Sequence, residues 1–327
     1  MLKVLCTALN AEEGPHFSIL RNAGASCDVV DRSLDLTKPD VLRKVIAGYP
    51  AIIAGSEPFP AEVINSSPEL RVIARAGVGF DAINLPACDA RQIVVATTPG
   101  VNHHAVAEHA IAMLMAIARG FPSCDQEVRK CVWTRVSRPR VMGSTIGLIG
   151  LGRIGQATAT RAIGLGMKVL CCDPYPSAEF LKSYAVEMVS LDELLSRSDY
   201  VSLHSPSIAE TKHLINAKTL DKMKTGSVLI NTARGQLVDE TALIAALKSG
   251  KLRAAGLDVF EVEPLPASSP LLQMPNVLLS GHIAGLDNES HNGTWELAAQ
   301  IILKLKAGEW PQECIQNLKG VQNWKWA

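Results

Sequence analysis

Three side chains in the second half of the sequence could together move a proton and hold a carboxylate. They are Arg234 in Asn231-Thr232-Ala233-Arg234-Gly235, Glu263 in Asp258-Val259-Phe260-Glu261-Val262-Glu263-Pro264, and His282 in Ser280-Gly281-His282-Ile283-Ala284-Gly285. A histidine titrates near neutral pH, so it can take a hydroxyl proton as hydride leaves the same carbon, and return it in the reverse direction. A carboxylate bonded to the far imidazole nitrogen would fix the tautomer and favour the imidazolium, and Glu263 fits that role. A guanidinium offers paired donors that hold a substrate carboxylate and polarise the reacting carbonyl, and Arg234 fits that one. The chemistry that uses all three is interconversion of a 2-hydroxy acid and a 2-keto acid. Singly, each has a plainer explanation: a turn arginine, an exposed glutamate before proline, a histidine satisfied by backbone.

A hydride needs a carrier. Gly150, Gly152 and Gly155 stand in G-x-G-x-x-G spacing within Gly147-Leu148-Ile149-Gly150-Leu151-Gly152-Arg153-Ile154-Gly155, after an apolar strand pattern and before a helical one. The first glycine allows the tight turn, the second a close backbone approach to a pyrophosphate, and the third close helix–strand packing, while the helix N-terminus offers free N–H groups. Glycines alone would also suit a plain strand-to-helix turn. The next strand, however, ends at Asp173, where a carboxylate can accept from an adenosine ribose and would repel a 2′-phosphate, so NAD is expected rather than NADP. Asp173 before Pro174 could otherwise be a solvated turn residue.

The elements that must position these residues read as an α/β pattern. Short apolar runs at 3–8, 51–54, 71–74 and 93–96 alternate with polar, helix-compatible segments such as 39–47. A helical stretch follows at 105–119, then an irregular connector to about Ser144. A second series gives strands at 146–149, 168–172, 200–203, 227–231, 254–258 and 277–279, with helices from Ile154 and at 190–196, 240–249 and 296–306. Such alternation predicts doubly wound parallel sheets, in which ligands bind at the carboxyl ends of strands. Arg234, Glu263 and His282 all follow expected strands.

Length and composition bound the alternatives. A chain of 327 residues exceeds one ordinary core, so two domains are expected. Lys+Arg and Asp+Glu balance at 32 each, which leaves no basic field for nucleic acid. The longest apolar stretch, 110–118, is about half of the roughly 20 residues a membrane span requires. The first residues, Met1 to Cys6, carry no signal-peptide pattern, and the cysteines form no C-x-x-C pair, so a reduced, cytoplasmic protein is expected. His103, His104, Glu108 and His109 invite a metal reading. His104 and Glu108 are four apart, but no further ligand stands at zinc-like spacing, so helix-end capping or interface packing is expected and no metal.

The segments 76–81, 147–155, 203–206, 231–240 and 257–266 together resemble the signature blocks of the NAD-dependent D-isomer specific 2-hydroxyacid dehydrogenases, and the likeness runs from about residue 51 to the last helix. That resemblance implies an α/β fold of two Rossmann-like, doubly wound domains. A flavodoxin-like substrate domain, 1–99 with 289–327, would receive the NAD-binding domain, 100–288, as an insertion. It carries the catalytic roles onto Arg234, Glu263 and His282. It implies NAD contacts at Gly150, Gly152, Arg153, Ile154, Gly155, Asp173, Pro174, His204, Pro206, Thr211, Thr232, Ala233, Asp258, His282 and Gly285, with Asp258 near the nicotinamide carboxamide. It implies substrate contacts at Arg75, Gly77, Val78, Gly79, Arg234 and His282, the amides of Val78 and Gly79 forming an anion nest for the carboxylate. A simple turn would also explain Gly77-Val78-Gly79.

Two departures stand out: Gly281 where the family usually has proline, and Ala82 and Asn84 where asparagine and aspartate are common. Glu57-Pro58 with Arg75 to Gly79 is most similar to the phosphoglycerate-dehydrogenase-like branch, and a regulatory domain beyond Ala327 is not expected. Arg75 could meet a substrate phosphate or simply an acidic surface. The stretch 100–145, with Trp133, Arg135 and Arg138, resembles the family's dimerisation arm, so a homodimer is expected. Two rivals keep the motifs: an NADH-sensing corepressor-like binding protein, and a formate or phosphite dehydrogenase, in which no 2-hydroxyl is deprotonated.

Overall fold

The computed structural model describes residues 1–8, 13–321 and 324–326. The chain divides into two compact units, Met1–Asn102 with Asp287–Ala327, and His103–Leu286.

In the first unit β1 (Leu2–Cys6), β2 (Ala25–Val29), β3 (Ala51–Ala54), β4 (Val72–Arg75) and β5 (Val94–Ala96) form a parallel sheet in the order β2-β1-β3-β4-β5. Every residue of the central β3 is buried, as expected of a parallel strand covered on both faces, and the edge strand β5 is buried as well. Alternation along β1 sends Val4 and Cys6 to one layer, against Leu20, Trp295, Ala299 and Ile302, and Leu5 to the other, against Leu42, Ile46 and Phe59. The last segment is tied into the same sheet: Asn317 accepts the Val95 N–H at 2.8 Å and donates to the Ile93 carbonyl and to Asp89, both at 2.9 Å.

In the second unit β6 (Thr145–Ile149), β7 (Lys168–Cys172), β8 (Val186–Met188), β9 (Tyr200–Leu203), β10 (Ser227–Asn231), β11 (Leu252–Leu257) and β12 (Val277–Leu279) form a parallel sheet in the order β12-β11-β10-β9-β6-β7-β8. The chain winds outward from β6 to β8, then returns to β9 on the other side of β6 and winds away again. The order therefore reverses between β6 and β9, where a doubly wound sheet opens a crevice at its carboxyl end.

Four differences from the sequence reading have physical causes. β2 and β8 escape notice because they are edge strands, only partly buried and lacking an apolar run. The expected irregular connector contains the helix Phe121–Arg129, which buries none of its residues and so carries no apolar stripe. The final helix spans Asn288–Lys306 rather than starting at Glu296. Its first turn is polar and begins where the Asp287 side chain accepts the Ser290 N–H at 2.6 Å. Among the described residues no helix is long and apolar enough to cross a membrane.

Candidate active site

The site residues of the second unit follow the carboxyl ends of β6, β7, β9, β10, β11 and β12, side by side along one sheet edge. At the end of β6 the backbone turns at Gly150, whose φ of 101° is one that other residues rarely adopt. A Cβ there would lie 2.7 Å from the His204 carbonyl carbon at the end of β9. Gly155 lies flush against the Gly150 carbonyl, so the helix Arg153–Gly164 can start immediately beneath the turn. Gly152 precedes that helix, no side chain caps it, and a Cβ at Gly152 would meet nothing within 4 Å. The first turn, with Arg153 and Ile154, thus keeps the N–H groups that every helix start leaves unpaired.

Asp173 follows β7, and its carboxylate accepts the Leu151 N–H of the glycine turn and the Tyr175 N–H, both at 2.6 Å, with Pro174 between. His204 is half-buried. Burial pushes its imidazole down to about 4, so it is neutral near pH 7, and its Nε2 lies 3.0 Å from Ser202 Oγ. Nearby, Thr211 Oγ1 donates to the Pro206 carbonyl at 2.7 Å and closes the turn beyond β9. Among the described residues His204 Nδ1, Ser205 Oγ and Thr232 Oγ1 are buried polar atoms without a hydrogen-bond partner. Orphaned donors and acceptors at the ends of β9 and β10, beside a glycine turn with open space above Gly152, are the features a dinucleotide would satisfy.

Beyond β10 the Asn231 side chain ties the turn: it donates to the Arg234 carbonyl at 2.8 Å and accepts the Ala233 N–H at 3.1 Å. The half-buried Arg234 donates to the Ala233 carbonyl at 2.6 Å. Gly235 lies against the Phe260 carbonyl with no room for a Cβ, which brings the Arg234 turn onto the loop of Glu263. The Glu263 carboxylate accepts the Phe260 N–H at 2.9 Å through one oxygen and lies 2.7 Å from His282 Nδ1 through the other. Burial alone would raise the Glu263 carboxyl. The hydrogen bonds from His282 and Phe260, and the charges of His282 and Arg234, outweigh it and hold the group below the usual carboxylate range. Arg234, Glu263 and His282 are thus brought together.

His282 sits at φ 56°, and Asp258 fixes the segment that carries it. The fully buried Asp258 carboxylate accepts the Ser280 hydroxyl at 2.5 Å and the Ile283 and Ala284 N–H groups at 2.9 Å each, and its carbonyl accepts the His282 N–H at 2.7 Å. Gly285 lies in the turn that the Leu286 N–H closes on the Ile283 carbonyl at 2.9 Å. Ser280 and the mooring role of Asp258 were not legible from spacing, since both lie on loops that meet only after β11 and β12 pair.

In the first unit Gly77, Val78 and Gly79, the segment expected to form an anion nest, follow β4. The Gly77 N–H is donated to the buried Thr98 hydroxyl at 2.9 Å. For Val78 and Gly79 no backbone N–H bond is formed among the described residues. Arg75 folds back onto the Ala76 carbonyl. His104 and Glu108 face Arg161 on the helix Arg153–Gly164, at 3.4 and 2.6 Å. No cluster of three metal-ligating side chains occurs among the described residues. The cysteines are free, and burial pushes the thiols of Cys6, Cys27, Cys88 and Cys171 up to about 12.

Comparison with known proteins agrees with this geometry. Residues 111–284 match the model of the D-isomer specific 2-hydroxyacid dehydrogenase, NAD binding domain. The chain is 41% identical over 268 residues to a glyoxylate reductase of Korarchaeum cryptofilum, covering 80% of this chain and 81% of the relative. It is 38% identical over 286 residues to a D-3-phosphoglycerate dehydrogenase of Mycobacterium tuberculosis, covering 86% of this chain but 54% of the relative, so it spans about half the length of that protein. The crystal structure of the TT0316 protein from Thermus thermophilus superimposes with a TM-score of 0.86 at 36% identity, over 96% of this chain and 99% of that one. The chain belongs to the D-isomer specific 2-hydroxyacid dehydrogenase family.

Proposed function

We propose that this chain interconverts a small 2-keto acid and its D-2-hydroxy acid with NAD(H), using His282 as the acid–base group, Glu263 as its support and Arg234 as the substrate clamp. The observation that carries the reading is the 2.7 Å contact between His282 Nδ1 and a Glu263 carboxylate held ionised. With Nδ1 so engaged, Nε2 is the ring nitrogen left to donate a proton to the keto oxygen or to accept it from the hydroxyl. The Arg234 guanidinium orients the substrate carboxylate and stabilises negative charge growing on the reacting oxygen. The pairing of Glu263 with His282 favours this chemistry over formate oxidation, in which carbon dioxide forms by hydride loss alone and no proton is moved.

NAD would be held by the Gly150 turn, the first turn of helix Arg153–Gly164 and Asp173, with Thr232, Ala233, Asp258 and Gly285 toward the reacting end. When bound, the nicotinamide supplies or accepts the hydride. Candidate acids are glyoxylate and 3-phosphoglycerate, which the relatives' names carry, and glycerate or hydroxypyruvate as small acids of the same class. A cytoplasmic homodimer is part of the proposal. The exposed Phe121, Val128, Trp133 and Val136 on the 100–145 arm support pairing with a second copy. The test is oxidation of NADH by the purified protein with a panel of 2-keto acids. Turnover giving the D-hydroxy acid supports the reading, whereas tight NADH binding without turnover on any acid favours a sensor.

A further inference from the structure

We infer that His109, on the helix His103–Arg119, is a positioning residue that holds the acid–base loop through Ser280 and Asp258. The inference rests on the reading of His282 as the acid–base group. The helix is seated against the strand that ends at Asp258. Gly256 in β11 has no side chain where the helix packs, and a Cβ there would lie 3.2 Å from both Met113 and Ile117. His109, one turn before Met113, therefore reaches the carboxyl end of β11. There its Nε2 is 2.9 Å from Ser280 Oγ and 3.7 Å from Asp258 Oδ1.

The direction of each bond follows from the proton count. Ser280 has one hydroxyl proton, and the Asp258 carboxylate at 2.5 Å takes it. The serine oxygen can then only accept from His109, which fixes the proton on Nε2. The remaining hydrogen bonds to the carboxylate come from the backbone N–H groups of Ile283 and Ala284, the two residues that follow His282. His282 adopts a positive φ that non-glycine residues disfavour, and a Cβ at Gly281 would meet nothing within 4 Å. Glycine at 281 is the most permissive residue, so a chain of shielded polar bonds from the helix supplies the restraint. Asp258 is fully buried and the His109 side chain 24% exposed, which keeps water from competing for these bonds.

The test uses the NADH-loaded enzyme, glyoxylate and hydroxypyruvate as probes, and amide exchange of Ile283 and Ala284 as a readout independent of turnover. In His109→Ala and in Ser280→Ala, kcat is expected to fall about tenfold with KM moving less than about threefold, because a misplaced acid–base group affects chemistry more than substrate capture. The Ile283 and Ala284 amides should exchange about tenfold faster, with exchange elsewhere unchanged. His109→Gln and Ser280→Thr, which restore the donor and the hydroxyl, should each recover most of both losses, and the double alanine variant should be no slower than Ser280→Ala alone. Unchanged exchange and kcat in His109→Ala, a His109→Gln variant as impaired as the alanine, or faster exchange spread over the whole unit would each overturn the proposal. His282→Ala with near-normal turnover would instead overturn the acid–base reading, leaving the exchange data to judge the mooring by itself.

Discussion

His282 Nδ1 lies 2.7 Å from one oxygen of Glu263, whose other oxygen accepts the Phe260 N–H at 2.9 Å, so the carboxylate has no freedom to leave the imidazole. Glu263→Gln preserves the shape and removes the charge. It is expected to lower kcat by about 10- to 100-fold, the lower part of the range for acid–base support, with NADH affinity unchanged. A variant with normal kcat at every pH would remove Glu263 from the mechanism.

The same carboxylate makes a stability prediction. Its folded-state pKa is depressed, so its contribution is present above its ordinary pKa of about 4.5 and is lost as pH falls through the lower folded value. The melting-temperature difference between wild type and Glu263→Gln should therefore shrink below about pH 4. A difference constant across that window would contradict the assignment of the shift.

Gly152 separates a structural glycine from a ligand-facing one. Its φ of −68° suits alanine, and an added Cβ meets no protein atom within 4 Å. Gly152→Ala should keep or slightly raise the melting temperature, yet weaken NADH binding at least about tenfold if a phosphate approaches there. In contrast, Gly150→Ala should lose stability as well, since its Cβ collides with the His204 backbone. Unaltered NADH affinity in Gly152→Ala would move the pyrophosphate elsewhere.

His204 gives an acid-side signature in a separate pH window. Its folded pKa of about 4 lies below the ordinary 6.5, so the unfolded chain takes up a proton first and stability falls as pH drops from about 6.5 to 4. The loss is on the order of 3 kcal/mol, from the unit-to-energy conversion applied to that shift. Denaturant titrations of His204→Asn should show a flatter profile across this window. A profile parallel to wild type would mean that His204 titrates normally.

Much of this site could be read from the sequence because its chemistry lies in short local signals. The glycine turn needs Gly150 for its positive φ and Gly155 for its contact with the Gly150 carbonyl, and both demands mark the sequence directly. Ala51–Ala54 is buried throughout and reads as an unbroken apolar run, and Ser227–Asn231, equally buried, carries Val-Leu-Ile at its centre. What stayed hidden depends on distant pairing. Ser280 meets Asp258 only because β12 lies beside β11, and His109 reaches both only because Gly256 admits the helix. Likewise the occupied N–H of Gly77 follows from Thr98, which no motif links to it. The edge strands Ala25–Val29 and Val186–Met188 lacked the burial that writes a pattern.

The central claim is that His282 exchanges the substrate proton while hydride moves to or from NAD. Single-turnover oxidation of enzyme-bound NADH by an accepted 2-keto acid, compared between wild type and His282→Ala with NADH affinity measured in parallel, tests it most directly. The account predicts a rate lower by about two to four orders of magnitude at unchanged NADH affinity. A variant that turns over within a few-fold of wild type would contradict it.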